Sequence, residues 1–498
     1  MDALRQQYES LAYVATIHPN VSPDRLSAIG RLLGLPATNP AACRVLDLGC
    51  GQGTDLIAKA ARFPNSHFTG VDFCSPDIDT ARRLAAEAGV KNVEFHHANL
   101  LEWEPEGTSF DYVIAYGLFS WVPDEVKERI LEVTARCLSP QGIASISYLT
   151  YPGSKQAEAL RDLMELRVGM ATGVEKVKIA RVVLGLLDRA YSALPNNAYS
   201  ASMLEQVRRI NTKEDNFLLH DDLGLLRDPV YFLQFVNMAD SHGLRYLGET
   251  EFQTLLVDNL PTETTQDFSN LGLDRLEAQQ FTDFVLDRSF RCTLLTHPQP
   301  DSVGQLHPAA MRELCFAPVL LPKNPTTRTC GNEAEFITSD QSNTTLRGEL
   351  LVSFITVLAR TPLAFRPYGE ILAAAQSEVA RDTKPFSPQE EDTLCRALVS
   401  LYGHLQIRVS CQPSVISPRL MLRPCLTLLN RALVRVHGVL ATADDRMMTL
   451  DAKNLAFSLL LNGTHSVHAL GKTREAQRLP DGGRQLLSRL QEFGCLQS

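Results

Sequence analysis

The segment VLDLGCGQGT at residues 45–54 decides the fold of this chain. An apolar strand pattern runs into Asp47, and glycines then occupy every second position from Gly49 to Gly53. Glycines at this spacing allow a tight backbone turn, and they let a ligand approach the main-chain N–H groups at the start of a following helix. We expect that helix over residues 55–62. The segment therefore predicts a ligand-binding turn between a strand and a helix.

The charges around this turn indicate the class of ligand. A dinucleotide fingerprint requires glycine or alanine where Thr54 stands, and it would bring pyrophosphate charge close to Asp47 and Asp55. A cationic ligand suits two carboxylates better, and S-adenosylmethionine carries both an ammonium and a sulfonium group. The turn resembles the first motif of class I S-adenosylmethionine-dependent methyltransferases, whose cofactor-binding residues would here be Asp47, Gly49, Gly51 and Gly53.

Two further strand patterns end at residues that suit the same ligand. HFTGVDF (residues 67–73) ends at Asp72, from which a carboxylate accepts hydrogen bonds from both ribose hydroxyls, and at Phe73, which is placed to pack on the adenine. NVEFHHANL (residues 92–100) ends at Asn99 and Leu100, where the resemblance implies a contact to the adenine amino group. Tyr116, after the next strand, completes the cofactor-binding set that we expect.

The remaining strand patterns predict a Rossmann-like α/β sheet. FDYVIAYGLFSWVP (residues 110–123) indicates a fourth strand with its active-site loop, and GIASISYLTYP (residues 142–152) indicates a fifth strand after a turn at residues 140–142. Strands that alternate with helices imply a parallel sheet with the ligand across the carboxyl ends of its strands. The resemblance adds a closing antiparallel pair, for which the candidates are GLRYLGETEF (residues 243–252) and SFRCTLLTH (residues 289–297). Residues 1–300 are therefore assigned to the methyltransferase core.

The long distance between the fifth strand and this pair leaves residues 154–226 as a helical insertion. Apolar residues at three- and four-residue spacing predict helices over residues 157–170 and 174–194. Their apolar faces suit packing against a second subunit or over the active site, so a homodimer and a lid are both open. A helix over residues 229–243, capped by Asp228, is expected to lead back to the sheet.

Composition shifts toward proline, threonine and asparagine after His297, which indicates a domain boundary. FAPVLLP (residues 316–322) and EAEFITS (residues 333–339) suggest a hairpin. Helices are predicted over residues 346–360, 368–380 and 388–403, with LQIRVS following at residues 405–410. This order predicts a winged-helix-like middle domain over residues 301–411, which we interpret as a docking module because it lacks a basic recognition helix. Residues 412–498 are expected to form a small, partly helical C-terminal domain.

Composition limits the class of protein. The chain has 498 residues, of which 44% are hydrophobic and 21% charged, as is typical of a soluble protein of two or three domains. Its formal net charge of −9 argues against binding to nucleic acid. The sequence shows no signal pattern and no apolar stretch near the roughly 20 residues that cross a bilayer, so we expect a cytoplasmic protein without stable membrane insertion. Eleven cysteines without a CxxC pair indicate reduced thiols, and no metal site is expected.

Segments outside the glycine turn resemble a narrower family. They are GLFSWVPDEVK, SYLTYPG, GLRYLGETEF and FRCTLLTHP, with YVATIHPNVSPDRLSAIGRLLGL near the N-terminus. They resemble methyltransferases with a methyltransferase regulatory domain, a group that includes bacterial protein-lysine methyltransferases acting on outer-membrane proteins. The resemblance implies a protein substrate and a flap over the cofactor formed by Tyr8, Tyr13 and His18. Three positions on the expected acceptor side depart from the family pattern: Tyr116, Leu149 and Ser154.

Methyl transfer is an in-line displacement, which requires the acceptor to be held close to the methyl group but requires no metal and no covalent residue. An aromatic-lined channel would also desolvate an amine acceptor and favour its neutral form. Aromatic candidates at the ends of strands four and five are Tyr116, Phe119, Trp121, Tyr148 and Tyr151. Phe119 is the first of these that we expect in the core, and Tyr116, Trp121 and Tyr151 are the catalytic candidates. The favoured prediction is a protein-lysine methyltransferase, and the alternatives are a small-molecule N- or O-methyltransferase and an inactive S-adenosylmethionine-binding regulator.

Overall fold

The computed structural model describes residue 13 and residues 16–105, 107, 109–194, 197–256, 259–323, 332–338, 341–361, 364–379, 386–414 and 425–497. Tyr8, which was expected to form part of a flap over the cofactor, lies outside these residues. At the centre is a seven-stranded sheet. Its strands are β1 (Arg44–Leu48), β2 (His67–Asp72), β3 (Val93–His97), β4 (Phe110–Ala115), β5 (Leu138–Leu149), β6 (Arg245–Glu249) and β7 (Phe290–Thr296). Their order is β3-β2-β1-β4-β5-β7-β6, with the first five parallel and β7 antiparallel to both of its neighbours. The predicted Rossmann-like methyltransferase sheet is confirmed.

Helices cover both faces of this sheet, because its strands present apolar side chains in both directions. In β1, Val45 belongs to the core on one face and Leu46 to the core on the other. The α-helices of more than three residues up to residue 286 are α1 (Pro23–Leu32), α2 (Thr54–Arg62), α3 (Ser75–Ala88), α4 (Asp124–Cys137), α5 (Ser154–Val168), α6 (Gly173–Ser192), α7 (Ala198–Asn211), α8 (Phe232–Ser241), α9 (Thr262–Asn270) and α10 (Arg275–Leu286). None of the helices in the described ranges is long and apolar enough to cross a membrane.

The insertion between β5 and α8 has a small core of its own. Met164, Leu184 and Val207, from its three helices α5, α6 and α7, are buried against one another. A π-helical turn, Leu218–Asp222, follows these helices. Part of the apolar surface of these helices is therefore buried within the insertion itself, and only the rest is free for a second subunit or for a lid over the active site.

Two local predictions were wrong. The helix that leads back to the sheet starts at Phe232 and not after Asp228, because the preceding residues are extended and Val230 forms a bridge to Thr150. The turn predicted at residues 140–142 lies within β5, whose register against β4 shifts there. A proline is tolerated at such an irregular position because the regular pattern of strand hydrogen bonds is already interrupted.

The C-terminal third has two parts, a middle unit (residues 315–410) and a smaller C-terminal unit (residues 425–497). The middle unit shares the hydrophobic core on one face of the central sheet, whereas the smaller unit has a hydrophobic cluster of its own. Its strands and helices are β8 (Cys315–Pro318), β9 (Leu321–Pro322), β10 (Glu333–Ile337), β11 (Asn343–Arg347), α11 (Glu349–Ala359), β12 (Arg366–Pro367), α12 (Tyr368–Glu378), α13 (Pro388–Gly403), β13 (Ile407–Ser410), α14 (Leu428–His437), β14 (Val439–Ala441), β15 (Met447–Thr449), α15 (Ala452–Ser458), α16 (Val467–Leu470), α17 (Arg474–Gln477) and α18 (Arg484–Glu492). Three helices and the antiparallel sheet β12-β8-β13 follow the predicted winged-helix-like order. The predicted hairpin was wrong in its pairing, since β8 pairs with β12 and β13 while β10 pairs with β9 and β11.

A buried group of charges connects the beginning of the described chain to its end. Arg62, in α2, bonds to Asp24 in α1 (2.8 Å) and to Asp445 between β14 and β15. Asp24 also accepts a hydrogen bond from Ser410 Oγ (2.7 Å), and Asp445 accepts one from Ser22 Oγ (2.6 Å). Both carboxylates are almost completely buried. The helix that follows the glycine turn is thus held by side chains from both C-terminal units.

Candidate active site

A cavity opens at the carboxyl ends of β1, β2 and β4, next to the glycine turn. The predicted site residues that line it are Asp47, Gly49, Gly51, Asp72, Phe73, Asn99, Leu100, Tyr116 and Trp121. Parallel strands end at one edge of the sheet, and this is why residues separated by more than seventy positions meet here. Two predicted site residues, Gly53 and Tyr151, are not part of the lining.

The glycines of the turn serve different purposes. All three have positive φ angles, of 78° at Gly49, 50° at Gly51 and 68° at Gly53. A Cβ atom on Gly53 would lie 2.6 Å from the Phe95 ring, so this glycine is required for packing of α2 against the sheet. A Cβ atom on Gly51 would meet no atom within 4 Å and would occupy open cavity space. Close ligand approach is therefore possible at Gly51, whereas Gly53 is structural.

Asp47 is a buried carboxylate that lacks a protein counter-charge in contact with it. Among the described residues, no hydrogen-bond donor and no ion-pair partner reaches its side chain. Burial raises the pKa of Asp47 to about 7, and the nearby charges of Asp55 and Asp72 add to the increase. A buried carboxylate of this kind is costly unless a donor or a cation meets it. An ammonium-bearing ligand in the cavity would satisfy Asp47.

Asp72 is held in place by the backbone. Its Oδ2 accepts a hydrogen bond from Gly51 N (2.9 Å), and its Oδ1 accepts one from Cys74 N (2.8 Å). Burial nevertheless raises the pKa of Asp72 to about 6. Each carboxylate oxygen retains acceptor capacity, because an ionised carboxylate has about four lone-pair sites. Asp72 can therefore accept hydrogen bonds from ligand hydroxyls while it supports the glycine turn.

Asp55 does not share the role expected for Asp47. Lys59, one helical turn later and fully buried, bonds to its Oδ2, and His18 N donates to its Oδ1 (2.8 Å). The His18 ring packs on the ring of Tyr116 at 4.1 Å between centroids, and burial lowers the pKa of His18. Asp55 is thus already bonded to Lys59 and to the backbone of the N-terminal segment at His18. A cationic ligand would therefore bind to Asp47 instead.

The aromatic candidates separate into three environments. Tyr116 and Trp121 line the cavity, and the buried Trp121 Nε1 has no hydrogen-bond acceptor among the described residues. Phe119 and Tyr148 are fully buried around Phe235, so they pack the core and do not line the cavity. Tyr151 lies outside the cavity lining, where its hydroxyl donates to Glu158 (2.8 Å).

Comparison with known proteins agrees with this geometry. Residues 45–142 match the family described as "Methyltransferase domain", and residues 214–297 match "Predicted methyltransferase regulatory domain". The uncharacterised protein RP028 of Rickettsia prowazekii is 30% identical over 243 residues, which cover 48% of this chain and 96% of RP028. The chain belongs to the S-adenosylmethionine-dependent methyltransferases with a methyltransferase regulatory domain. S-Adenosylmethionine is the cofactor of this methyltransferase.

Two other relatives extend the comparison. The uncharacterised protein RP789 of the same organism is 33% identical to the methyltransferase over 293 residues, which cover 58% of this chain and 51% of RP789, so the match spans about half of that relative. The structure of PKMT2 from Rickettsia typhi matches with a TM-score of 0.82 at 21% identity, over 97% of this chain and 100% of PKMT2. PKMT2 in complex with AdoHcy gives a TM-score of 0.83 at 22% identity, over 97% of this chain and 99% of PKMT2. The fold of the methyltransferase is therefore shared over nearly the whole chain, including both C-terminal units.

Sequence reasoning missed part of the cavity of the methyltransferase. Leu118, Val122 and Val126 also line it, and their four-residue spacing after β4 was a usable signal. Thr54, at the start of α2, lines the cavity and bonds through Oγ1 to Nε2 of His437 (3.1 Å), at the end of α14. No sequence pattern connects two residues that are so far apart in the chain.

Proposed function

We propose that this methyltransferase transfers methyl groups to lysine side chains of a protein substrate. The observation that carries the proposal is the charge around Tyr116, which lies at the end of β4 on the side of the cavity away from Asp72. Burial raises the pKa of Tyr116, and the carboxylates of Glu251, Asp55 and Asp221 add to the increase. Tyr116 and Trp121 line this side of the cavity together, and carboxylates near an aromatic wall suit a cationic amine better than an acidic acceptor.

The cofactor-binding roles follow from where the side chains lie. Asp47 would bind the ammonium of the amino-acid part, and Gly51 would allow that part to approach the backbone. Asp72 would accept hydrogen bonds from the ribose hydroxyls. The adenine would lie among Phe73, Asn99 and Leu100. S-Adenosylmethionine supplies an activated methyl group on its sulfonium sulfur.

The acceptor side must bind an amine and make it nucleophilic. A lysine side chain in water has a pKa of about 10.4, so producing the neutral amine at pH 7 costs roughly 4.6 kcal/mol. Desolvation lowers this cost, and Tyr116 and Trp121 would exclude water from the amine while orienting it toward the methyl group. Tyr151, the third catalytic candidate, would act only through Glu158, to which its hydroxyl is bonded.

The fold match to PKMT2 over 97% of the chain supports a protein substrate, because it includes the units outside the methyltransferase core. The middle unit would serve as a docking module for that substrate.

The insertion also supports a homodimer. Several of its apolar side chains are exposed: Leu163, Leu166, Met170, Val174, Val182 and Leu186. Leu166, in the last turn of α5, is 80% exposed, and Met170, two residues after the end of α5, is 97% exposed. Exposed apolar side chains this close together suit burial against a second subunit. Sedimentation at increasing protein concentration tests this proposal, and a sedimentation coefficient that stays at the monomer value would contradict it.

The experiment that tests the function uses S-adenosylmethionine tritiated in its methyl group and a bacterial lysate. After incubation, small molecules are separated from protein, and the protein is hydrolysed in acid before amino-acid analysis. Label in methyl-lysine is the expected result. Label confined to small molecules would support the alternative N- or O-methyltransferase. Cofactor binding without any label would support the inactive regulator.

A further inference from the structure

The insertion contributes a carboxylate beside the cofactor cavity. Tyr13 lines the cavity, and its hydroxyl donates a hydrogen bond to Asp221 Oδ1 (3.2 Å). The Tyr13 ring also packs edge-to-face on Phe217 and on His220, each at 5.6 Å between centroids. The N-terminal segment and the π-helical turn Leu218–Asp222 thus form one wall. Single π-helical turns occur often at functional sites, because they present side chains that a regular helix would place elsewhere.

The carboxylates near Tyr116 differ in how well they are neutralised. Asp55 is bonded directly to the buried ammonium of Lys59. Glu251 lies 3.7 Å from Arg288, and its side chain is 41% exposed. Asp221 lies 4.0 Å from Lys213, and this lysine bonds more closely, at 2.7 Å, to Asp222.

Of these three carboxylates, Asp221 therefore has the most distant ion-pair partner. Its side chain is 27% exposed, so a ligand entering from solvent can reach it. Burial raises the pKa of Asp221 to about 6; Lys213, Arg227 and the hydrogen bond from Tyr13 lower it, and Asp222 raises it. A further cation at this position would stabilise the charged form.

We propose that Asp221, oriented by Tyr13, binds the ammonium group of the methyl acceptor as it enters the cavity. This inference rests on the proposed function, since it takes the acceptor to be a lysine side chain. Asp221 would bind the charged amine at the entrance of the cavity, before the amine loses its proton beside Tyr116 and Trp121. Its charge and its partial exposure would select amines over hydroxyl or carboxyl acceptors.

The test measures binding rather than turnover. Full-length protein is saturated with S-adenosylhomocysteine, and a fluorescein-labelled hexalysine peptide is titrated by fluorescence anisotropy at fixed ionic strength. Asp221→Asn should weaken peptide binding about five- to tenfold, while Asp221→Glu, which retains the charge, should recover most of the affinity. Tyr13→Phe should have a smaller effect, of about twofold, because it removes only the orienting hydrogen bond.

Two controls separate this role from a structural one. Asp215→Asn removes an exposed carboxylate of the same insertion, paired with Arg181, and should leave peptide binding unchanged. Calorimetry should show the same S-adenosylmethionine affinity in the Asp221 and Asp215 variants as in the wild type. Any one of three results would overturn the inference. The first is an Asp221→Asn protein that binds hexalysine as tightly as the wild type does. The second is a wild type that binds hexalysine no better than fully acetylated hexalysine, and the third is an Asp215→Asn protein that loses as much affinity as Asp221→Asn. Methyl-lysine in the tritium experiment, combined with any of these results, would leave the proposed function intact and remove only the role of Asp221.

Discussion

His437 Nε2 and Thr54 Oγ1 are hydrogen-bonded at 3.1 Å, so the last residue of α14 contacts the first residue of α2 at the border of the cofactor cavity. Burial lowers the pKa of His437, and this favours a neutral ring at pH 7. The smaller C-terminal unit therefore reaches the border of the cavity at Thr54, whereas the insertion reaches it at Tyr13.

His437→Ala should weaken S-adenosylmethionine binding about three- to tenfold, because a neutral hydrogen bond that fixes the start of α2 contributes about 1 kcal/mol. Isothermal titration calorimetry measures the change. His404→Ala, at an exposed histidine after α13, is the matched control and should bind normally. Equal affinities in the two variants would show that the C-terminal unit does not influence the cofactor site.

Asp47→Asn should abolish measurable cofactor binding and yet stabilise the protein without its cofactor at pH 8. The pKa of Asp47 rises from 3.8 to about 7 on folding, so the folded state binds the additional proton between these values. Stability from this group is present at low pH and is lost as the pH rises through 7. We expect a gain of about 2 to 4 kcal/mol in the variant at pH 8 and almost none at pH 4, by chemical denaturation. Asp55→Asn is the contrast, and it should destabilise at pH 8 because Lys59 loses its partner.

Gly51 and Gly53 should respond differently to a side chain. Gly51→Val is expected to remove cofactor binding, since its side chain would occupy the cavity, and to lower the melting temperature less than Gly53→Val, since it adds only the strain of a side chain at a positive φ angle. Gly53→Val should lower stability strongly, because its Cβ would overlap the Phe95 ring at a positive φ angle. Thermal unfolding measures the stability of both variants, and calorimetry measures their affinity for the cofactor. Normal cofactor affinity in Gly51→Val would contradict the assigned role of the turn.

Trp121→Ala should reduce turnover at least tenfold, since this residue lines the cavity and would orient the acceptor. Tyr151→Ala should have a smaller effect, because Tyr151 is placed beside Glu158 outside the cavity lining. Initial rates with tritiated S-adenosylmethionine and lysate protein give the comparison. The opposite order of effects would move the acceptor site toward Tyr151.

The sequence was sufficient to predict the central sheet and to bring the residues of the glycine turn and Asp72 to one cavity. Alternating strand and helix patterns and the glycine turn are local signals, and Asp47 and Asp72 follow directly from them. It was not sufficient where distant segments meet. Tyr148 and Tyr151 are only three residues apart in the sequence, and β5 ends between them. Tyr148 therefore packs in the core, whereas Tyr151 lies outside the cavity lining and contacts Glu158. The contacts of Asp221 and His437 depend on tertiary packing between distant segments, and no periodic pattern in the sequence predicts these contacts.

Arg62 lies between Asp24 and Asp445, and this arrangement has a consequence during synthesis. A ribosome releases α1 and α2 long before residue 445, and for that interval Arg62 lacks one of its two carboxylate partners. The glycine-turn helix therefore cannot reach its final environment until the last unit has emerged. Nascent chains of this protein should bind cofactor only late in translation, and a ribosome stalled before residue 445 should carry a sheet without a finished site.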